Sequence, residues 1–142
     1  MKINKDWLVG FVDGEGTFFI GIQGGVLAEF VITQHKRDIQ LLYAIRKFLN
    51  CGVIRVQQNI CYFRVRKREH LLNIILPFFS YNELMTVKKF DFYDFKRVLE
   101  LVEKGKHRSK EGLAEIVAIK NGMNRGRILD EDIVPSLLKD KE

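Results

Sequence analysis

The chain has two prolines, two cysteines, one tryptophan and three histidines in 142 residues. With so little proline and no low-complexity tract, no stretch reads as a linker, so 1–142 is expected to be one domain, least patterned over 128–142. Cys51 and Cys61 match no zinc-ligand spacing, and small buried thiols in a reducing compartment account for both. His35, His70 and His107 form no metal-ligand or nuclease pattern. No apolar run reaches bilayer length and no signal peptide is evident, so neither a membrane protein nor a secreted one is expected. Internal repeats are also missing, so any motif occurs once.

The remaining composition is that of a core-forming basic protein: 46% hydrophobic residues, a formal charge of +6 and a pI near 9.4. Such a balance favours a polyanion partner, nucleic acid first.

The stretch Leu8-Val9-Gly10-Phe11-Val12-Asp13-Gly14-Glu15-Gly16 organises the rest. It reads as a short helix over 7–13, capped by Asn4 or Asp6, with Trp7, Leu8, Phe11 and Val12 apolar. A short helix so apolar should be buried on both sides, more than one chain of this size supplies. Gly10 and Gly14 lie four apart on one face and allow a second helix to approach closely. Glu15 is expected just past the helix end, with Gly16 supplying a left-handed turn into the next strand.

Residues 17–23 and 26–34 alternate as a hairpin about Gly24-Gly25. Phe18, Ile20, Ile22, Ala28, Phe30 and Ile32 form its inner face, and Phe19, Gly21, Leu27, Glu29, Val31 and Thr33 lie outside. A helix capped by Asp38 follows, ending at 50–52. Strands 53–57 and 60–66 form a second hairpin about Gln58-Asn59, with Ile54, Val56, Phe63 and Val65 inside and Arg55, Gln57, Tyr62, Arg64 and Arg66 outside. Helices are expected over 69–76, ended by Pro77, over 89–103, and over 112–120 capped by Ser109. Phe90, Phe92, Tyr93 and Phe95 read as core filling. The result is an α+β chain of order αββαββαα with a four-stranded antiparallel sheet.

The outer sheet face suits DNA, because a two-stranded ribbon fits the major groove. Arg55, Arg64 and Arg66 can pair with guanine or phosphate, while Gln23 and Gln57 suit adenine. Phe19 and Glu29 share that face, whose first hairpin is unusually apolar, and Lys120, Arg125 and Arg127 are placed to reach phosphates.

The organising stretch resembles the motif of the LAGLIDADG homing endonucleases. Phe30-Val31-Ile32-Thr33-Gln34, Cys51-Gly52-Val53-Ile54 and the run from Gly112-Leu113 to Gly122-Met123-Asn124-Arg125-Gly126-Arg127 follow that family's order. The resemblance implies a site-specific DNA endonuclease with helices on one face of the sheet. Mg²⁺ would be held by Glu15, with the Gly14 carbonyl a second ligand. Mn²⁺ would substitute, and Ca²⁺ would permit binding without cleavage. Gln34 and Lys88, or its neighbour Lys89, would hold the nucleophilic water and balance phosphate charge.

One carboxylate is few for a metal site. A homodimer through Trp7, Leu8, Gly10, Phe11, Asp13 and Gly14 would bring two copies of Glu15 together over a pseudo-palindromic double-stranded site. The alternatives are an intron maturase binding RNA, for which Lys104, Lys106, Arg108 and Lys110 are the basic surface, and a non-cleaving DNA-binding regulator. Encoding in an organelle (mitochondrion or chloroplast) or a bacterial or phage cytoplasm would fit all three.

Overall fold

A computed structural model describes residues 1–127; the expectation for 128–142 lies outside the described residues. Helix α1 (Lys5–Glu15) leads into β1 (Gly16–Ile22) and β2 (Val26–His35), then α2 (Ile39–Leu49), β3 (Val53–Gln57) and β4 (Ile60–Val65). Helical pieces α3 (Arg68–His70) and α4 (Leu76–Tyr81) flank a π-helical turn, Leu71–Ile75, and precede α5 (Lys88–Glu103) and α6 (Lys110–Asn121). The sheet is four-stranded and antiparallel in the order β1-β2-β4-β3, so the chain is α+β as its patterning predicts.

Alternation decides which face is buried. Phe18, Phe30, Ile32, Phe63 and Val65 are buried on the inner face. Phe18 is the hub, with ring centroids 5.2 to 5.6 Å from Phe30, Phe79, Phe92 and Phe95. Each such ring contributes about 1.5–3 kcal/mol of burial, so α4 and α5 are held to β1 chiefly through these aromatics. The first hairpin turns through Gly24 and Gly25, both at positive φ (65° and 148°), where a side chain would be strained.

Several expectations are corrected. Asn4, not Asp6, caps α1, its Oδ1 accepting from Trp7 N at 2.8 Å. Helix α1 extends through Glu15, and Gly16 is extended (φ −84°, ψ 158°) rather than left-handed. Glycine is needed there for closeness instead: a Cβ on Gly16 would lie 2.6 Å from Val12 Cγ1. Asp38 makes no cap, because a 3-10 turn over Lys36–Asp38 begins the element, with His35 Nδ1 accepting from Arg37 N.

Pro77 does not end its helix. The preceding turn widens to π spacing, with Leu76 N–H reaching Leu71 O, and the chain continues helically to Tyr81. A wider turn relieves the clash between a proline ring and the carbonyl four residues back, and buried Phe79 rewards the continuation. Val56 is 55% exposed near the end of β3, and Cys61 of β4 is buried in the core. Of the four α5 aromatics Phe92 and Phe95 fill the core, whereas Phe90 and Tyr93 lie on the solvent side.

Candidate active site at the end of α1

Two acids two residues apart leave the last turn of α1 in opposite circumstances. Asp13 accepts from Met85 N (2.8 Å), Thr86 N (3.0 Å) and Thr86 Oγ1 (2.7 Å), so it fastens the loop before α5 to α1. Burial alone would raise its pKa, but these donors and the nearby Lys88 charge hold it below the usual aspartate value of 3.8. Glu15 is exposed and has no hydrogen-bond or ion-pair partner among the described residues. One carboxylate is engaged by the fold and the other is exposed and unengaged among the described residues.

Lys88 opens α5 and reaches back to the same turn, its Nζ donating to Val12 O at 3.1 Å and to Gly16 O. Val12 O also accepts the Gly16 N–H at the end of α1, so the lysine is a second donor there, ties α5 to the helix–strand junction and brings positive charge beside Glu15. Burial pushes the Lys88 amine below the ordinary lysine value, outweighing the opposing pull of Asp13, Asp91 and Glu15. Lys89 instead lies over the Phe90 ring, 5.5 Å from its centroid. The geometry therefore brings Lys88, rather than Lys89, to Glu15. Gln34 is half-buried near the end of β2, and its Nε2 donates to Thr33 O at 2.8 Å.

The face of α1 beside these groups is open. A Cβ on Gly10 or Gly14 would meet nothing within 4 Å. Trp7 is 37% exposed and stacks on half-buried Phe11, with centroids 4.9 Å apart and planes 11° apart. Leu8 departs from the predicted interface set, because it is fully buried in the chain's own core with Val9 and Val12. Asp13 departs too, because its carboxylate is engaged by its own chain.

On the outer sheet face Glu29 organises the arginines. Its Oε2 accepts from Arg66 Nε and Nη2 at 3.0 and 2.9 Å and lies 4.0 Å from Arg64 Nε. Arg64 Nε is buried without a hydrogen-bond partner, and its guanidinium lies over the Tyr62 ring. Arg55 donates to Ile54 O at 3.1 Å, and Gln23 and Gln57 are exposed. Phe19 and Arg125 line one surface hollow together with Lys120. Arg127, predicted to reach phosphate, is turned inward onto Asp91 (2.9 Å) and Asp94.

Oxygen ligands and a small open carboxylate suit a hard divalent cation, and Glu15 with the Gly14 carbonyl fits part of such a shell. Among the described residues no group of three or more His, Cys, Asp or Glu side chains is gathered to hold a metal. One copy therefore offers a single unengaged carboxylate at the end of α1 among the described residues.

Residues 8–99 match the model of the LAGLIDADG endonucleases. The chain belongs to this family. Probable intron-encoded endonuclease 2 of Neurospora crassa is 36% identical over 121 residues, covering 83% of this chain and 27% of the relative. The crystal structure of the homing endonuclease I-TnaI is similar over 100% of both chains, at 42% identity and a TM-score of 0.84. I-SmaMI, solved bound to uncleaved DNA target in the presence of calcium ions, matches 97% of this chain and 50% of its own at 33% identity and a TM-score of 0.84. The LAGLIDADG chain thus spans about a quarter of the curated relative and half of I-SmaMI.

Sequence reasoning missed the roles of Met85, Thr86, Asp91 and Asp94. Each partners a group far away in the chain, and no local pattern announces it. Asn124 stood in the matched terminal run, yet nothing in that run told that its side chain would bond Phe18 O (2.9 Å).

Proposed function

We propose that this chain is a site-specific homing endonuclease that makes a double-strand break as a homodimer joined through α1. The observation that carries this is Glu15: an exposed, unpartnered carboxylate ending a helix whose adjoining face is lined by Gly10 and Gly14. A bound Mg²⁺ would activate water and offset the charge developing on a phosphodiester. Glu15 and the Gly14 carbonyl would hold it, with a second copy and DNA phosphates completing the shell.

Lys88 balances negative charge at the scissile phosphate, and Gln34 orients the attacking water. The sheet's outer face reads the duplex: Arg55, Arg64 and Arg66 meet guanine or phosphate, Gln23 and Gln57 meet adenine, and Phe19 contacts thymine methyls. Glu29 holds Arg64 and Arg66 in place for that contact. The half-length match to I-SmaMI fits a unit that works in pairs, and relatives named as intron-encoded support encoding within an organellar intron. Among the described residues no helix is long and apolar enough to cross a membrane.

The test is cleavage of a randomised-site DNA library with Mg²⁺ and with Ca²⁺, beside a sedimentation measurement of mass. Cutting at near-palindromes by a dimer, absent with Ca²⁺, is expected. Salt-sensitive binding without cutting in either metal would instead make this a regulator or an RNA-binding maturase.

A further inference from the structure

The C-terminal turn forms a closed cluster on α5. Asp91, the buried charged residue of the described core, accepts from Asn124 N at 2.9 Å and from Arg127 Nε and Nη2 at 3.1 and 2.9 Å. Arg127 also bridges to Asp94. Asn124 Nδ2 donates to Phe18 O at 2.9 Å, so the turn ties α5 to β1 two residues beyond Gly16, whose carbonyl receives Lys88.

Asp91 and Lys88 stand three apart on α5, a spacing at which opposite charges pair readily. They do not pair here, since Lys88 Nζ bonds Val12 O and Gly16 O while Asp91 is held by Arg127. We propose that Arg127 is a positioning residue for Lys88: by claiming the Asp91 carboxylate, it prevents Asp91 from drawing the lysine away from the end of α1 and from Glu15. Arg127 acts by competition as well as by fastening the turn. For the cleavage rate, this rests on the endonuclease reading above.

The two roles separate in a double variant. Arg127→Met frees Asp91 to capture Lys88, and single-turnover cleavage should slow about 10- to 100-fold while DNA affinity stays within about twofold. Adding Asp91→Asn removes the competing charge and should restore most of the rate, although the ion pair is still missing. Arg127→Lys keeps a cation for Asp91 and should stay near the wild-type rate, which covers the case in which Arg127→Met fails to fold.

The Lys88 side-chain NMR shifts should move in Arg127→Met and return in the double variant, whether or not the protein cuts DNA. A wild type that cuts nothing would therefore defeat the endonuclease reading and leave this one testable by the shifts. A double variant as slow as Arg127→Met, or Lys88 shifts unmoved by Arg127→Met, would overturn the proposal.

Discussion

The end of α1 and the C-terminal turn both gather acids around a cation, and they finish differently. At the turn both acids are engaged: Arg127 spans Asp91 and Asp94, and Asn124 donates to Asp91 and to Phe18 O. At the end of α1 the accounts stay open, because Asp13 is saturated, Lys88 bonds only carbonyls, and Glu15 bonds nothing among the described residues. Buried charges that are fully hydrogen-bonded serve the fold. An unengaged carboxylate beside a lysine, among engaged neighbours, is the arrangement the proposed cleavage requires of Glu15.

The sharpest way to break this contrast is Glu15→Gln. Cleavage should fall by a factor on the order of 10³, with thermal stability changed by less than about 0.5 kcal/mol. Equal cutting by the variant would remove the distinction between the two regions. Next in size is Gly10→Leu. A side chain there meets nothing within its own chain, so folding should persist while sedimentation shows loss of the dimer and cutting disappears with it.

Asp13→Asn should do the reverse of Glu15→Gln and cost about 1–3 kcal/mol of stability near neutral pH, read by denaturant unfolding. The folded-state pKa of Asp13 is depressed, so its stabilisation is present above the unfolded value of 3.8 and is lost as pH falls through the lower folded value. The stability gap between wild type and Asp13→Asn should therefore close in strong acid. The smallest effect is expected for Arg66→Gln, which should weaken DNA binding and reduce the slope of log affinity against log salt by about one if Arg66 meets a phosphate.

The sequence revealed most where a physical constraint is local. Alternating Phe18, Ile20, Phe30 and Ile32 gave the first hairpin its inner face, and the motif placed Glu15 at a helix–strand junction. Where a distant partner decides, it was silent. Asp13 and Thr86 are 73 positions apart, and Arg127 and Asp91 are 36 apart, so an interface acid and a phosphate-binding arginine looked reasonable from either end alone. Pro77 misled for a related reason: the local rule against proline in a helix yields when a π turn and a buried Phe79 make continuation worthwhile.

The central claim is that Glu15 acts only when joined by its counterpart in a second copy. Cleavage by an exchanged equimolar mixture of wild type and Glu15→Gln measures this directly. If both carboxylates are required, only doubly wild-type dimers cut, and the initial rate should be roughly one quarter of that of the same total amount of wild type. A rate of roughly one half would mean that each copy cuts on its own, and would contradict the account.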